Sequence, residues 1–277
     1  MQPAVAQKPE RTMSQFLYYM ESNDGFEEKL KYQNTLPLMS GPIPLLSILA
    51  MYLLFVTKLG PYLMAHRKPY NMQALVVIYN FAMVLYNVVL VIWPIVGGHI
   101  HYIYIDFCIF KKVDDFDLLH SAITYAWCFF LSKLVELIDT IFFVMRKKQR
   151  QITFLHVFHH VMVPFVVWFH NKYMPGPQAL VVAVLNSSVH VFMYTYYMLS
   201  AMGPKYQKYI WWKKYMTWIQ LVQFVTVFLY TSTLLLLKCP EPAITSTVFL
   251  IFSLIFMLLF ANFYYKTYIK KSKQSQE

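Results

Sequence analysis

"MQALVVIYNFAMVLYNVVLVIWPIV", residues 72–96, contains no charged side chain. A helix of about 20 such residues, rising about 1.5 Å each and satisfying its own backbone hydrogen bonds, covers the ~30 Å hydrocarbon core of a bilayer. Six further stretches have the same character: about 37–57, 119–145, 152–171, 177–200, 215–237 and 244–265. Of the 277 residues, 58% are hydrophobic and 13% charged, whereas soluble domains are roughly half apolar and a quarter charged. The fold expected is an all-α membrane protein with seven transmembrane helices.

The first 35 residues are polar and carry Lys8, Glu10, Arg11, Glu21, Asp24, Glu27, Glu28, Lys29 and Lys31. That is not the early apolar core of a cleavable signal, so the first span is expected to act as the insertion signal. Basic residues between spans set orientation, because cytoplasmic loops retain Lys and Arg. One side receives Lys58, Arg67, Lys68, Arg146, Lys147, Lys148, Arg150, Lys205, Lys208, Lys213, Lys214, Lys266, Lys270, Lys271 and Lys273, with Glu277 as its acid. The other side has Lys111, Lys112, Lys172, Lys238 and most of the acids. The N-terminus is therefore expected in the lumen and the C-terminus in the cytosol. Membrane orientation accounts for the +11 net charge, and nucleic acid is not expected as a partner. The chain divides into a lumenal segment (1–35), a helical domain (36–266) and a cytosolic basic tail (267–277). Cys108 and Cys239 fall in loops on the oxidising side, where a disulfide between them is expected; Cys128 lies within the third span.

Spans one and seven are nearly pure hydrocarbon, whereas the four from third to sixth carry groups that are costly in lipid. The third has "KLVELIDT", with Lys133, Glu136 and Asp139, and the fourth has "LHVFHH", with His156, His159 and His160. The fifth has "NSSVHVFMYTYY", with Asn186, His190, Tyr194, Tyr196 and Tyr197; the sixth has "TWIQLVQF", with Gln220 and Gln223. Asn186, His190, Tyr194 and Tyr197 recur at helical spacing on one face, as do His156 with His160 and Gln220 with Gln223. Counted from the basic residue at each cytosolic boundary, Asp139 lies ~10 Å deep, His159 and Gln223 ~14 Å, and His190 ~20 Å. A polar chamber formed mainly by helices three to six, below a basic cytosolic rim, follows from that convergence.

Plainer roles exist for each group. Lys133 with Glu136 or Asp139 forms a buried ion pair that pins helices together. The glutamines are interhelical hydrogen-bonding groups, and the tyrosines pack with satisfied hydroxyls. Three histidines within five positions, with a fourth on the next span, favour function over packing.

HxxHH also occurs in membrane di-iron desaturases and hydroxylases, which use about eight histidines by family analogy. Here His99, His101, His120 and His170 fall toward the opposite face and His66 in the first loop, leaving four at one depth. No HxxxH companion exists, so iron is disfavoured; one zinc on three histidines and a carboxylate stays formally open.

"KLVELIDT", "LHVFHH", "NSSVHVFMYTYY" and "TWIQLVQF" resemble, in order and spacing, the KxxExxDT, HxxHH, NxxxHxxMYxYY and TxxQxxQ motifs of the very-long-chain fatty acid elongases, in their animal form. The likeness runs from "GPYLMAHRKPY" to the basic tail. It implies a seven-helix, multi-pass enzyme of the endoplasmic reticulum membrane, an acyltransferase that condenses long-chain acyl-CoA with malonyl-CoA. The products are 3-ketoacyl-CoA, CO2 and CoA. It implies no metal and no cofactor beyond the two CoA substrates. The partners it implies are membrane lipid, other enzymes of the elongation cycle and a homo-oligomer.

The resemblance points to His159 as the nucleophile, with His160 and His156 beside it. His190 and Asn186 are expected at the incoming enolate or carbonyl, with Gln223 helping to orient it. Glu136 and Asp139 are expected to fix imidazole tautomers, with Lys133, Tyr194, Tyr197 and Gln220 in support. Lys147, Lys148, Lys213 and Lys214 are expected to meet the CoA phosphates. "HVFHH" followed by "VMVPF" looks more like the subgroup acting on saturated and monounsaturated chains. The tail "KKSKQSQE" lacks the dilysine spacing of a retrieval signal. A di-iron desaturase or hydroxylase, and a seven-span receptor or transporter, are the other readings of the same topology.

Overall fold

A computed structural model describes residues 31–97, 116–173, 178–237 and 243–270. Among them there is no strand. α1 spans Pro42–Met64, α2 Gln73–Val96, α3 Phe116–Val135, α4 Leu137–Met145 and α5 Phe154–Tyr173. α6 follows over Gln178–Ala201, α7 over Lys213–Leu236 and α8 over Ala243–Tyr264, running on as a π-helix over Tyr265–Lys270. Each stretch expected to span contains a helix, with the first starting only at Pro42 and the third interrupted at Glu136. Cys108 and Cys239 lie outside the described residues, so the expected disulfide does too.

Five of these helices are long and apolar enough to cross a membrane: α1, α2, α6, α7 and α8. Large side chains cover their outer faces, among them Ile43, Ile78, Val89, Ile251 and Leu258, all about half exposed or more. That outward apolarity suits lipid rather than water. α3, α4 and α5 fall short, because they carry the lysine, carboxylates and histidines and because the third stretch is divided in two.

The division falls at Glu136. Its amide still bonds back to Ser132 at 2.9 Å, but the next bond is short-range, Asp139 N–H to Glu136 O at 3.2 Å. One turn thus tightens to i+3 bonding, as 3-10 geometry does. α4 resumes for nine residues. It ends in a Schellman cap: Lys148 N–H bonds Phe143 O at 2.8 Å and Lys147 N–H bonds Val144 O at 3.0 Å. Lys147 sits at φ 54°, in the left-handed region that glycine favours.

Pairwise packing closes into a cycle. α2 packs on α3 and along α6, α6 on α7, α7 on α8, α8 on α5, and α5 on α3. α1 stands outside this cycle and packs on α4 and α5. Its contact depends on Gly60: a Cβ there would come within 2.7 Å of Val144 Cγ1 and 2.8 Å of the Phe55 carbonyl oxygen. Backbone cannot yield as a side-chain tip can, so Gly60→Ala should cost about 1–3 kcal/mol by overpacking. Thermal unfolding in detergent measures this, and an unchanged Tm would refute the close approach.

The main core cluster lies where α1, α3, α4 and α5 meet, with Leu45, Leu49, Phe130, Leu137, Val144 and Trp168 buried. The segment before α1 is fastened to the middle of α3 and the end of α5. Trp168 Nε1 donates to Leu38 O at 2.8 Å and Trp127 Nε1 to Pro37 O at 2.9 Å. Lys172 Nζ donates to Asn34 Oδ1 and to Met39 O.

Candidate active site

The break at Glu136 lies at the centre of a buried polar group. Lys133 and Glu136 are each 1% exposed, and Lys133 Nζ donates to Glu136 Oε1 at 2.6 Å. The same ammonium donates to Asn186 Oδ1 on α6 at 2.7 Å and lies 4.8 Å from the centre of the Phe129 ring. Lysine only donates, so the Asn186 amide must turn its oxygen toward it. Its NH2 is then left facing away from Lys133. His190, also on α6, brings Nδ1 to 2.9 Å of Glu136 Oε1. The geometry falls short of an aligned hydrogen bond, so this is a close polar contact of the imidazole with the carboxylate.

α5 supplies the histidines. His156 Nε2 lies 2.8 Å from Thr140 Oγ1, whose oxygen is also 2.8 Å from the Tyr52 hydroxyl of α1. The His156 and His160 rings are 4.2 Å apart, centre to centre, and His159 and His160 are 5.4 Å apart. Phe256 of α8 stands 5.2 Å from the His159 ring. Among the described residues no hydrogen bond holds the ring of His159 or His160, and both lie within Coulombic reach of Glu136 and His190.

The two carboxylates divide their work. Glu136 faces Lys133 and His190, whereas Asp139 Oδ2 accepts from the Tyr194 hydroxyl at 2.8 Å and so meets a phenol rather than an imidazole. Tyr197 packs edge-on to Tyr194, as does Tyr79 of α2. Gln223 is buried, while Gln220 is half-buried and donates to Met193 Sδ at 3.8 Å. Among the described residues no three of His, Cys, Asp and Glu converge as metal ligands would.

At the basic end, a cleft of about 300 Å³ opens between the start of α2 and the ends of α4 and α6, with Tyr70, Asn71, Gln73, Arg146 and Ser200 on its walls. Lys148, Lys213 and Lys214 are exposed. Lys147 Nζ donates to Ala65 O at 3.2 Å, joining the α4 cap to the loop after α1.

Thr140, Tyr52 and Phe256 were not singled out from sequence. Thr140 is the last residue of "KLVELIDT", which is the one signal that marks it. Tyr52 and Phe256 belong to helices that read as plain hydrocarbon.

Comparison with known proteins agrees with the motifs. The ELO: GNS1/SUR4 family matches residues 37–276. Mouse very long chain fatty acid elongase 1 is 42% identical over 243 residues, covering 84% of each chain. Rat very long chain fatty acid elongase 7 is 42% identical over 235 residues, covering 84% of this chain and 83% of its own. Human very long chain fatty acid elongase 4 is 42% identical over 240 residues, covering 86% of this chain and 75% of its own. With the match extending from the start of the helical region almost to the last residue, this chain belongs to the ELO (GNS1/SUR4) family.

Proposed function

We propose that the protein elongates fatty acids by condensing long-chain acyl-CoA with malonyl-CoA. The observation that carries this is a pair of uncommitted imidazoles, His159 and His160, beside a buried Lys133–Glu136–Asn186–His190 cluster. The names of the relatives, very long chain fatty acid elongases, support it. In the first step a neutral His159 nitrogen attacks the thioester carbonyl, forming the acyl–nitrogen bond and breaking the carbon–sulfur bond. CoA leaves as thiolate and takes the imidazole proton. In the second, malonyl-CoA loses CO2, and its C2 enolate attacks the acyl-imidazole, forming a carbon–carbon bond, breaking the acyl–nitrogen bond and returning the electron pair to His159, which takes from solvent the one proton the overall reaction consumes. The Asn186 NH2 and His190 stabilise the negative oxygen of that enolate.

The same reading includes seven spans with the N-terminus lumenal, a chamber enclosed by the helix cycle, and residence in the endoplasmic reticulum. The acyl chain occupies the apolar interior, and the CoA phosphates meet the basic rim. No metal takes part, membrane lipid surrounds the enzyme, and other elongation-cycle enzymes and a second copy of the chain are its partners.

The test is purified protein with a chain-length panel of acyl-CoAs and labelled malonyl-CoA, with and without strong chelators. Labelled 3-ketoacyl-CoA at an unchanged rate after chelation is expected. Absence of condensation with every acyl-CoA, or stoichiometric iron or zinc lost together with turnover, would overturn it.

A further inference from the structure

One histidine of the cluster already has a ring nitrogen occupied. Thr140 Oγ1 lies 2.8 Å from both His156 Nε2 and the Tyr52 hydroxyl. Thr140 is 0% and Tyr52 6% exposed, so water does not compete for either hydroxyl. Thr140 is the one hydrogen-bond partner of the Tyr52 hydroxyl among the described residues. The Tyr52 proton must therefore point at Thr140, since a buried hydroxyl with no acceptor would be left unsatisfied. Thr140 accepts it and turns its own single proton to its other neighbour, Nε2 of His156. A ring nitrogen that accepts carries no proton, and a neutral imidazole then keeps its proton on Nδ1.

We propose that Tyr52 and Thr140 are positioning residues that hold His156 in its Nδ1–H tautomer, through the chain Tyr52 O–H to Thr140 O–H to His156 Nε2. The Nε2 lone pair is engaged, so His156 does not attack the thioester and that role falls to its unbonded neighbours. The pinned ring packs 4.2 Å from His160 and fixes where His160 lies. α1, outside the helix cycle, reaches the chemistry through Tyr52 alone among its polar side chains with a bond to the cluster.

The kinetic consequence rests on the condensation reading, but the tautomer does not. Protein with ring-15N histidine in lipid nanodiscs, its His156 signals assigned by their loss in His156→Gln, is read by NMR, which separates protonated from bare ring nitrogens. His156 is expected to carry its proton on Nδ1, to lose that preference in Thr140→Val, and to keep it in Thr140→Ser. In turnover, Thr140→Val should lower kcat about 10- to 100-fold, as loss of a supporting hydrogen bond does, with KM for acyl-CoA little changed. Thr140→Ser should restore most of the rate, and Tyr52→Phe should fall between. A proton on Nε2 in the unaltered protein, or a Thr140→Val protein unchanged in both tautomer and kcat, overturns the relay. An Nδ1 proton without any condensation sinks the reaction and leaves the relay standing.

Discussion

His159→Ala should abolish condensation, with a loss of at least about 10³-fold, or about 4 kcal/mol of transition-state stabilisation. The expectation comes from what its ring lacks: no hydrogen bond from the described residues engages it, whereas His156 is held by Thr140 and His190 by its contact with Glu136. A neutral imidazole attacks a thioester, and the proposed reaction needs water kept from the acyl-imidazole that results; Phe256 already packs against the His159 ring. Acyl-CoA alone should therefore release CoA in an amount matching the enzyme, and peptide mapping should find the acyl group on His159. His159→Ala should lose both the release and the adduct. His190→Ala should keep the release and lose the second step, where the proposed reaction has His190 at the enolate. CoA appearing only after malonyl-CoA is added, with no acylated histidine, would make the reaction a direct condensation.

Lys133→Leu should destabilise the protein by about 3–5 kcal/mol, because it leaves the Glu136 carboxylate buried without its cation. A folded protein has only about 5–15 kcal/mol to lose. Each partner is 1% exposed, so neither charge can be rescued by water. Replacing both, as Lys133→Leu with Glu136→Leu, should recover much of the stability, because no buried charge remains. It should not recover turnover, since Asn186 then loses the donor that orients its amide and His190 loses its carboxylate. Thermal melts and condensation rates on the same preparations read the two effects separately. A single Lys133→Leu variant that melts with the unaltered protein would refute the buried pair.

The helices themselves are written in the chain. Residues 72–96 and 244–265 can do little but form helices in a membrane, because lipid offers no partner for a free backbone group. Helical spacing also puts Asn186, His190, Tyr194 and Tyr197 on one face. What spacing cannot state is which neighbour a face meets, or how far each helix turns about its axis. Asp139 and Glu136 are three apart on one stretch, yet one meets Tyr194 and the other Lys133 and His190. Lys147 reads as a rim charge, and its backbone turns out to cap α4. Tyr52 and Phe256 sit in the two spans that looked like plain hydrocarbon, and both touch the histidines or the residue that holds them. Composition and periodicity alone therefore determined that the chain is helical, with several stretches apolar enough to cross a membrane, and which polar residues share a helix. Only packing between helices decided the break at Glu136, the partners of each buried charge and the part played by α1. Those depend on contacts between residues distant in sequence, such as Lys133 with Asn186 and Tyr52 with Thr140, whose register no local pattern encodes.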